Sequence, residues 1–223
     1  MTATERVTLF AGHYGSGKTN VAVNYAVALS RSGPTAIADL DIVNPYFRTK
    51  DAEKVLKENG IRLIASDYAE SNVDLPALPA DAYSLIDDRS VKAVIDVGGD
   101  DRGALALGRY APGIKAENNY RMLLVVNMYR PLTSTPEDCA AIMREIRQAA
   151  GIDFTGIVNN SNLGEETTAD DVLRSAGFAE KLSGLTGLPV VMTAVEKSVA
   201  PRLEGRIENI FPIEVYVRQG IDR

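Results

Sequence analysis

Gly12-His13-Tyr14-Gly15-Ser16-Gly17-Lys18-Thr19 decides how the rest of this chain is read, because it fills every fixed position of GxxxxGKT. The residue types explain the chemistry. Glycines let the backbone close around an anion, so that successive N–H groups converge on phosphate oxygens. Lys18 supplies a point charge to the β/γ-phosphates, and Thr19 a hydroxyl for Mg²⁺. The flanks agree with this reading. Val7-Thr8-Leu9-Phe10-Ala11 is short, apolar and partly β-branched, as a buried strand should be. Asn20 to Ser30 is rich in Ala and Val and free of glycine, which predicts a helix. Such a helix directs its unsatisfied N–H groups and positive dipole end at the same anion.

Outward from the loop, strands alternate with helices. Strands are expected at 35–38, 61–64, 92–95, 121–126, 155–158 and 189–193, with a possible edge strand at 213–218 where apolar and polar residues alternate. Helices are expected at about 49–58, 81–87, 103–110, 136–150 and 169–182. The stretch 65–82, with Pro76 and Pro79, reads as an irregular excursion. This βα repetition predicts an α/β three-layer sandwich with a mostly parallel sheet, whose ligand crevice lies at the carboxyl ends of the strands. At 223 residues the chain is expected to form one domain, 1–223.

Composition narrows the function classes. A 45% hydrophobic content suits a globular core, and no apolar run approaches the ~20 residues of a membrane span. The polar first six residues resemble no secretory signal, so a cytoplasmic location is expected. The 24 basic and 30 acidic residues give a net charge of −6, which offers no general attraction to nucleic acid or to anionic lipid. The single cysteine, Cys139, cannot form an internal disulfide and reads as a small buried hydrophobe.

Asp39, Asp41 and Asp96 fall at predicted carboxyl ends of strands, where a phosphate-bound Mg²⁺ would sit. Mg²⁺ prefers oxygen ligands and keeps several waters, so one carboxylate near the metal and another aimed at an attacking water would serve hydrolysis. Asp96-Val97-Gly98-Gly99 fits DxxG, in which the aspartate neighbours the metal and a glycine N–H, here Gly99, senses the third phosphate.

With GHYGSGKT, Asp39-Leu40-Asp41, DVGG and a strand ending in Asn159-Asn160, the chain from about Val7 to Val195 resembles the MinD/ParA/CobQ-CobB group of P-loop ATPases. The resemblance implies the P-loop NTPase fold and a Mg-ATP-dependent switch that often works as a nucleotide-sandwiched homodimer. It assigns the water-orienting role to Asp41, a place near the metal to Asp39, and an adenine contact to Asn160, with Asn159 as the near alternative. The expected nucleotide-binding set is therefore Gly12, His13, Tyr14, Gly15, Ser16, Gly17, Lys18, Thr19, Asn20, Gly99 and Asn160. Lys18 and Asp41 are the expected catalytic residues, and Thr19, Asp39 and Asp96 the expected metal set.

One departure matters. MinD-type loops usually carry a lysine after the first glycine, which reaches into the partner subunit's nucleotide; this chain has His13. Dethiobiotin-synthetase-like members also lack that lysine, which keeps an ATP-dependent ligase or kinase acting on a small carboxylate as an alternative, beside a nucleotide-gated binding module with negligible hydrolysis. No NKxD pattern follows either candidate strand end, which favours ATP over GTP. The client, protein or metabolite, is not readable, although Tyr46-Phe47-Arg48 is a candidate partner-binding segment.

Overall fold

Val7–Ala11 (β1) is buried at every position and lies between two parallel neighbours, as a short apolar run must in a sheet covered on both faces. The computed structural model describes residues 5–40, 52–64, 81–99 and 101–217. The other described strands are β2 (Thr35–Leu40), β3 (Arg62–Ile64), β4 (Lys92–Val97), β5 (Tyr120–Val126), β6 (Gly156–Asn159), β7 (Val190–Glu196) and β8 (Ile210–Ile213). They form one sheet of order β3-β2-β4-β1-β5-β6-β7-β8, with every pairing parallel. The described helices are α1 (Lys18–Ser30), α2 (Glu53–Glu58), α3 (Asp81–Asp87), α4 (Asp101–Gly108), α5 (Ala111–Glu117), α6 (Pro136–Ala150) and α7 (Ala169–Thr186).

Side-chain alternation divides the core in two. Leu9, Ala38, Ile95 and Leu124 face one layer with Leu107, Ile114, Ile146 and Leu182 from the later helices. Phe10, Ile37, Val94 and Val125 face the other with Val21, Tyr25 and Leu29 of α1 and Leu56 of α2. Each fully buried large side chain contributes about 1.5–3 kcal/mol. The sandwich is the three-layer α/β architecture expected from the sequence.

Local signals set the helix limits. Thr135 caps α6 by accepting from Asp138 N, Pro136 opens it, and Gly151 at φ 67° closes it. Thr168 and Asp171 form a reciprocal capping box on α7. At the amino ends of the strands, buried Arg6 pairs with Glu117 and donates to the carbonyls of Leu85 (2.7 Å), Ile86 and Val91 (both 3.1 Å). The Arg6 hydrogen bond is the main reason the Glu117 carboxyl lies below its ordinary pKa. Cys139 is buried, as expected, and burial pushes its thiol up to about 12.

Two segments differ from expectation. Helix α5 was not anticipated between 111 and 117; its Pro112 lies in the first turn, where a missing N–H costs nothing. The edge strand is 210–213 rather than 213–218. Residues 214–217 are held instead by two amides one turn apart on α1. Asn24 exchanges hydrogen bonds with the backbone of Glu214 (2.7 and 2.9 Å). Asn20 accepts from Tyr216 N and Val217 N (both 2.9 Å) and donates to Val217 O (2.8 Å).

Candidate nucleotide site at the carboxyl edge

The loop between β1 and α1 takes a shape that its glycines alone permit. A Cβ on Gly12 would lie 2.3 Å from Val125 O, and Gly15 and Gly17 both sit at φ 79°, a left-handed conformation costly to other residues. Ser16 N donates to His13 O (3.1 Å), closing a turn, and Gly17 precedes the first residue of α1. Helix α1 has no upstream helical carbonyls for its first N–H groups. Among the described residues, the N–H groups of Gly17, Thr19 and Asn20 find no acceptor. Lys18 and Thr19 are buried beneath the loop, while Tyr14 stands 52% exposed above it. His13 donates its Nδ1–H to Tyr14 O (2.9 Å), a contact that stays within the loop. Among the described residues, buried Ser16 Oγ has no partner.

On one side of β1 are the acids. Asp96 on β4 registers with Phe10 on β1 and with Asp39 on β2. Neighbours in register share a face of the sheet, and this face is the one α1 covers, with Thr19 in its first turn. Asp96 is fully buried. Gly99 follows closely: a Cβ there would fall 2.7 Å from both Gly12 O and Tyr14 N. The DxxG segment thus lies directly against the phosphate loop. Asp41 and the Tyr46-Phe47-Arg48 segment lie outside the described residues.

On the other side are amides and a guanidinium. Asn160, buried after β6, donates its Nδ2 to Ser16 O (2.7 Å) and leaves Oδ1 without a partner among the described residues. Asn159 turns away, to Ser175 on α7 (2.8 Å), so of the two candidates Asn160 is the one that reaches the loop. Asn127 Oδ1 accepts from Tyr129 N (3.0 Å) and Asn162 N (3.2 Å), and Ser161 Oγ accepts from Met128 N (3.0 Å), tying the β5 and β6 loops together. Arg130, which sequence reasoning missed, donates its Nε to Gly15 O (3.1 Å). The available signal was a cation four residues beyond the end of β5, a strand adjacent to β1. Asn20, expected to bind nucleotide, has its side chain committed to residues 216–217, which leaves only its backbone N–H facing the loop end of α1.

The residues present fit a Mg-nucleotide. Unsatisfied N–H groups and Lys18 suit phosphates, and Thr19, Asp39 and Asp96 offer the hard oxygen ligands that Mg²⁺ accepts alongside water. Among the described residues no cluster of three or more His, Cys, Asp or Glu suits a metal, so a thiolate or imidazole metal centre is not indicated there. A separate concavity of about 460 Å³ lies at the amino ends of the strands, lined by Lys115, Arg144, Arg147, Gln148, Gly151 and Asp153. Two of its cations are already engaged, Lys115 with Gly151 O and Arg147 with Asp153, and no phosphate loop faces it.

The chain has the P-loop NTPase fold. No protein-family model matches it, and no curated protein does. Solved structures do. The FtsY cell division protein of Thermotoga maritima is 16% identical with a TM-score of 0.60, over 87% of this chain and 63% of that one. Chloroplast FtsY from Physcomitrella patens is 17% identical with a TM-score of 0.59, over 86% and 59%. The signal recognition particle 54 kDa protein of Aeropyrum pernix, in complex with GDP, is 15% identical with a TM-score of 0.54, over 86% and 42%. The chain therefore spans less than two thirds of the length of each. These similarities place it in a fold whose solved members include nucleotide-bound proteins. Among the described residues, no helix is long and apolar enough to cross a membrane.

Proposed function

We propose that this protein is a Mg-dependent nucleotide switch of the MinD-like kind, which binds and hydrolyses ATP and passes its nucleotide state to a protein partner. The observation that carries the reading is the phosphate loop itself, with open N–H groups at the start of α1 and two strand-tip acids on the face that α1 covers. Lys18 and the loop amides hold the phosphates. Thr19, Asp39 and Asp96 would hold Mg²⁺, which supplies charge neutralisation to the phosphates. Asp41 orients the attacking water, as the resemblance implies. Gly99, packed on Gly12 and Tyr14, couples the phosphate loop to the segment entering α4. A third phosphate bound in the loop would thereby bias the segment after Asp96, which is how such a switch reports its state.

ATP is the proposed nucleotide because neither Asn127-Met128-Tyr129-Arg130 nor Asn159-Asn160-Ser161-Asn162 supplies the NKxD pattern associated with GTPases; Asn160 Oδ1, without a partner among the described residues, can accept from an exocyclic amine of either purine. GTP is a second reading, favoured by the GDP-bound solved neighbours. Titration with Mg-ATP and Mg-GTP, together with phosphate release for the parent, Lys18→Ala and Asp41→Ala, tests both. The expected result is tighter ATP binding by the parent, loss of binding in Lys18→Ala, and retained binding without turnover in Asp41→Ala. Tighter GTP binding would reverse the base assignment, and absence of any nucleotide binding by the folded parent would overturn the function.

A further inference from the structure

Resting on the reading of the loop as a nucleotide site, we infer that Arg130 is a wall of the nucleoside pocket, laying its guanidinium plane against the base while Asn160 meets the base edge. The peptide joining Gly15 to Ser16 aims its N–H inward, at His13 O. Being trans, it aims its carbonyl outward, and Arg130 Nε takes that oxygen at 3.1 Å. The next carbonyl, Ser16 O, is taken by Asn160 Nδ2 at 2.7 Å. Two side chains from neighbouring strands therefore grip consecutive carbonyls on the outer wall of the loop, away from the surface that would face phosphate.

The sheet order says which part of a ligand meets them. Asp39 and Asp96 place the metal, and with it the β/γ end, on the β2–β4 side of β1. The nucleoside must leave the loop on the opposite side, over β5 and β6, where Arg130 and Asn160 stand. Arg130 is held ready there. Its loop is closed by Thr133 N to Arg130 O (3.0 Å) and Thr133 Oγ1 to Asn127 O (2.7 Å). Its side chain runs within 3.6–3.9 Å of where a Cβ on Gly15 would be. Among the described residues its guanidinium makes that single hydrogen bond and no ion pair, so the rest of the plane is available. A guanidinium stacks on flat π systems, and the partly buried setting strengthens the attraction.

Calorimetric titration of the full chain with Mg-ATP, Mg-GTP and Mg-tripolyphosphate separates nucleoside from phosphate contacts. Arg130→Leu is expected to weaken the preferred nucleotide about tenfold and tripolyphosphate less than about twofold. Arg130→Lys keeps a cation able to donate to Gly15 O, so it guards against loss of the loop shape; it should hold tripolyphosphate and melting temperature at parent values and recover only part of the nucleotide affinity. Equal losses for nucleotide and tripolyphosphate in the lysine variant, or no loss for either in both variants, would overturn the inference. A parent that binds neither nucleotide would overturn the site reading beneath it.

Discussion

The two banks of β1 are built on opposite electrostatic plans. Toward β4 and β2, Asp96 and Asp39 stand in register on neighbouring strands, and like charges directly opposed are unfavourable unless a cation joins them. Toward β5 and β6, Asn127, Asn159, Asn160 and Ser161 bond to backbone groups and to Ser175, with Asn160 Oδ1 left over among the described residues. The acid bank gathers carboxylates at the strand tips, and the amide bank ties the β5 and β6 loops to each other and to the phosphate loop. On the proposed function, the first would hold Mg²⁺ and the second would fix the loop and the nucleoside beside it.

The sharpest way to break this division is Asp96→Asn. Turnover is expected to fall by about two to three orders of magnitude, the scale for removing a charge-stabilising group, while nucleotide binding in the presence of EDTA stays near the parent value. Steady-state phosphate release with a Mg²⁺ titration checks it, and unchanged turnover would mean the acids do not manage the metal. Gly99→Ala should come next. Its Cβ would press on Gly12 O and Tyr14 N at 2.7 Å, so a loss of about 1–3 kcal/mol in urea unfolding is expected, along with weaker triphosphate binding.

On the other bank, Asn160→Ala is expected to weaken nucleotide binding about tenfold while leaving turnover at saturation within about threefold, because it removes a loop support and no reacting group. A collapse of saturated turnover in this variant would erase the distinction between banks. The smallest effect on the site belongs to Glu117→Gln, at the far end of the sheet. Nucleotide affinity should not change, but stability should. The folded pKa of Glu117 lies below the ordinary value because Arg6 bonds the carboxylate, so the ion pair contributes fully above pH 4.5 and loses its contribution as pH falls through the folded value. The difference in melting temperature between parent and variant should therefore be largest near neutrality and shrink in acid.

The expectations for the acid bank came from short motifs, GxxxxGKT, Asp39-Leu40-Asp41 after a strand, and DxxG; the structure sets Asp39 inside β2 and in register with Asp96. The parallel sheet and its layers followed from βα alternation, the strand order did not, and Asn160 entered through the family resemblance, which points to the asparagine after the strand expected at 155–158. Arg130 and Asn20 were not readable in the same way. The Arg130 contact with Gly15 spans 115 positions and depends on how the 127–133 loop closes. The Asn20 contact with Val217 spans 197. Asn20 stands in the expected nucleotide-binding set; its side chain takes a passing backbone, which leaves its N–H as the group that could serve that expectation. For the same reason the alternation at 213–218 looked like a strand: an extended segment bonded by asparagines needs the same residues as one bonded by a neighbouring strand.

The grip of Asn20 and Asn24 on residues 214–217 has a practical consequence. It clips an exposed residue, Val215, 46% accessible, to the helix whose first turn carries Lys18 and Thr19. At a rise of about 1.5 Å per residue, Asn20 lies roughly 3 Å along the axis from Lys18. A fluorophore attached at Val215 would ride on that helix, and a change in its emission on adding a Mg-nucleotide would report that the start of α1 responds to the ligand.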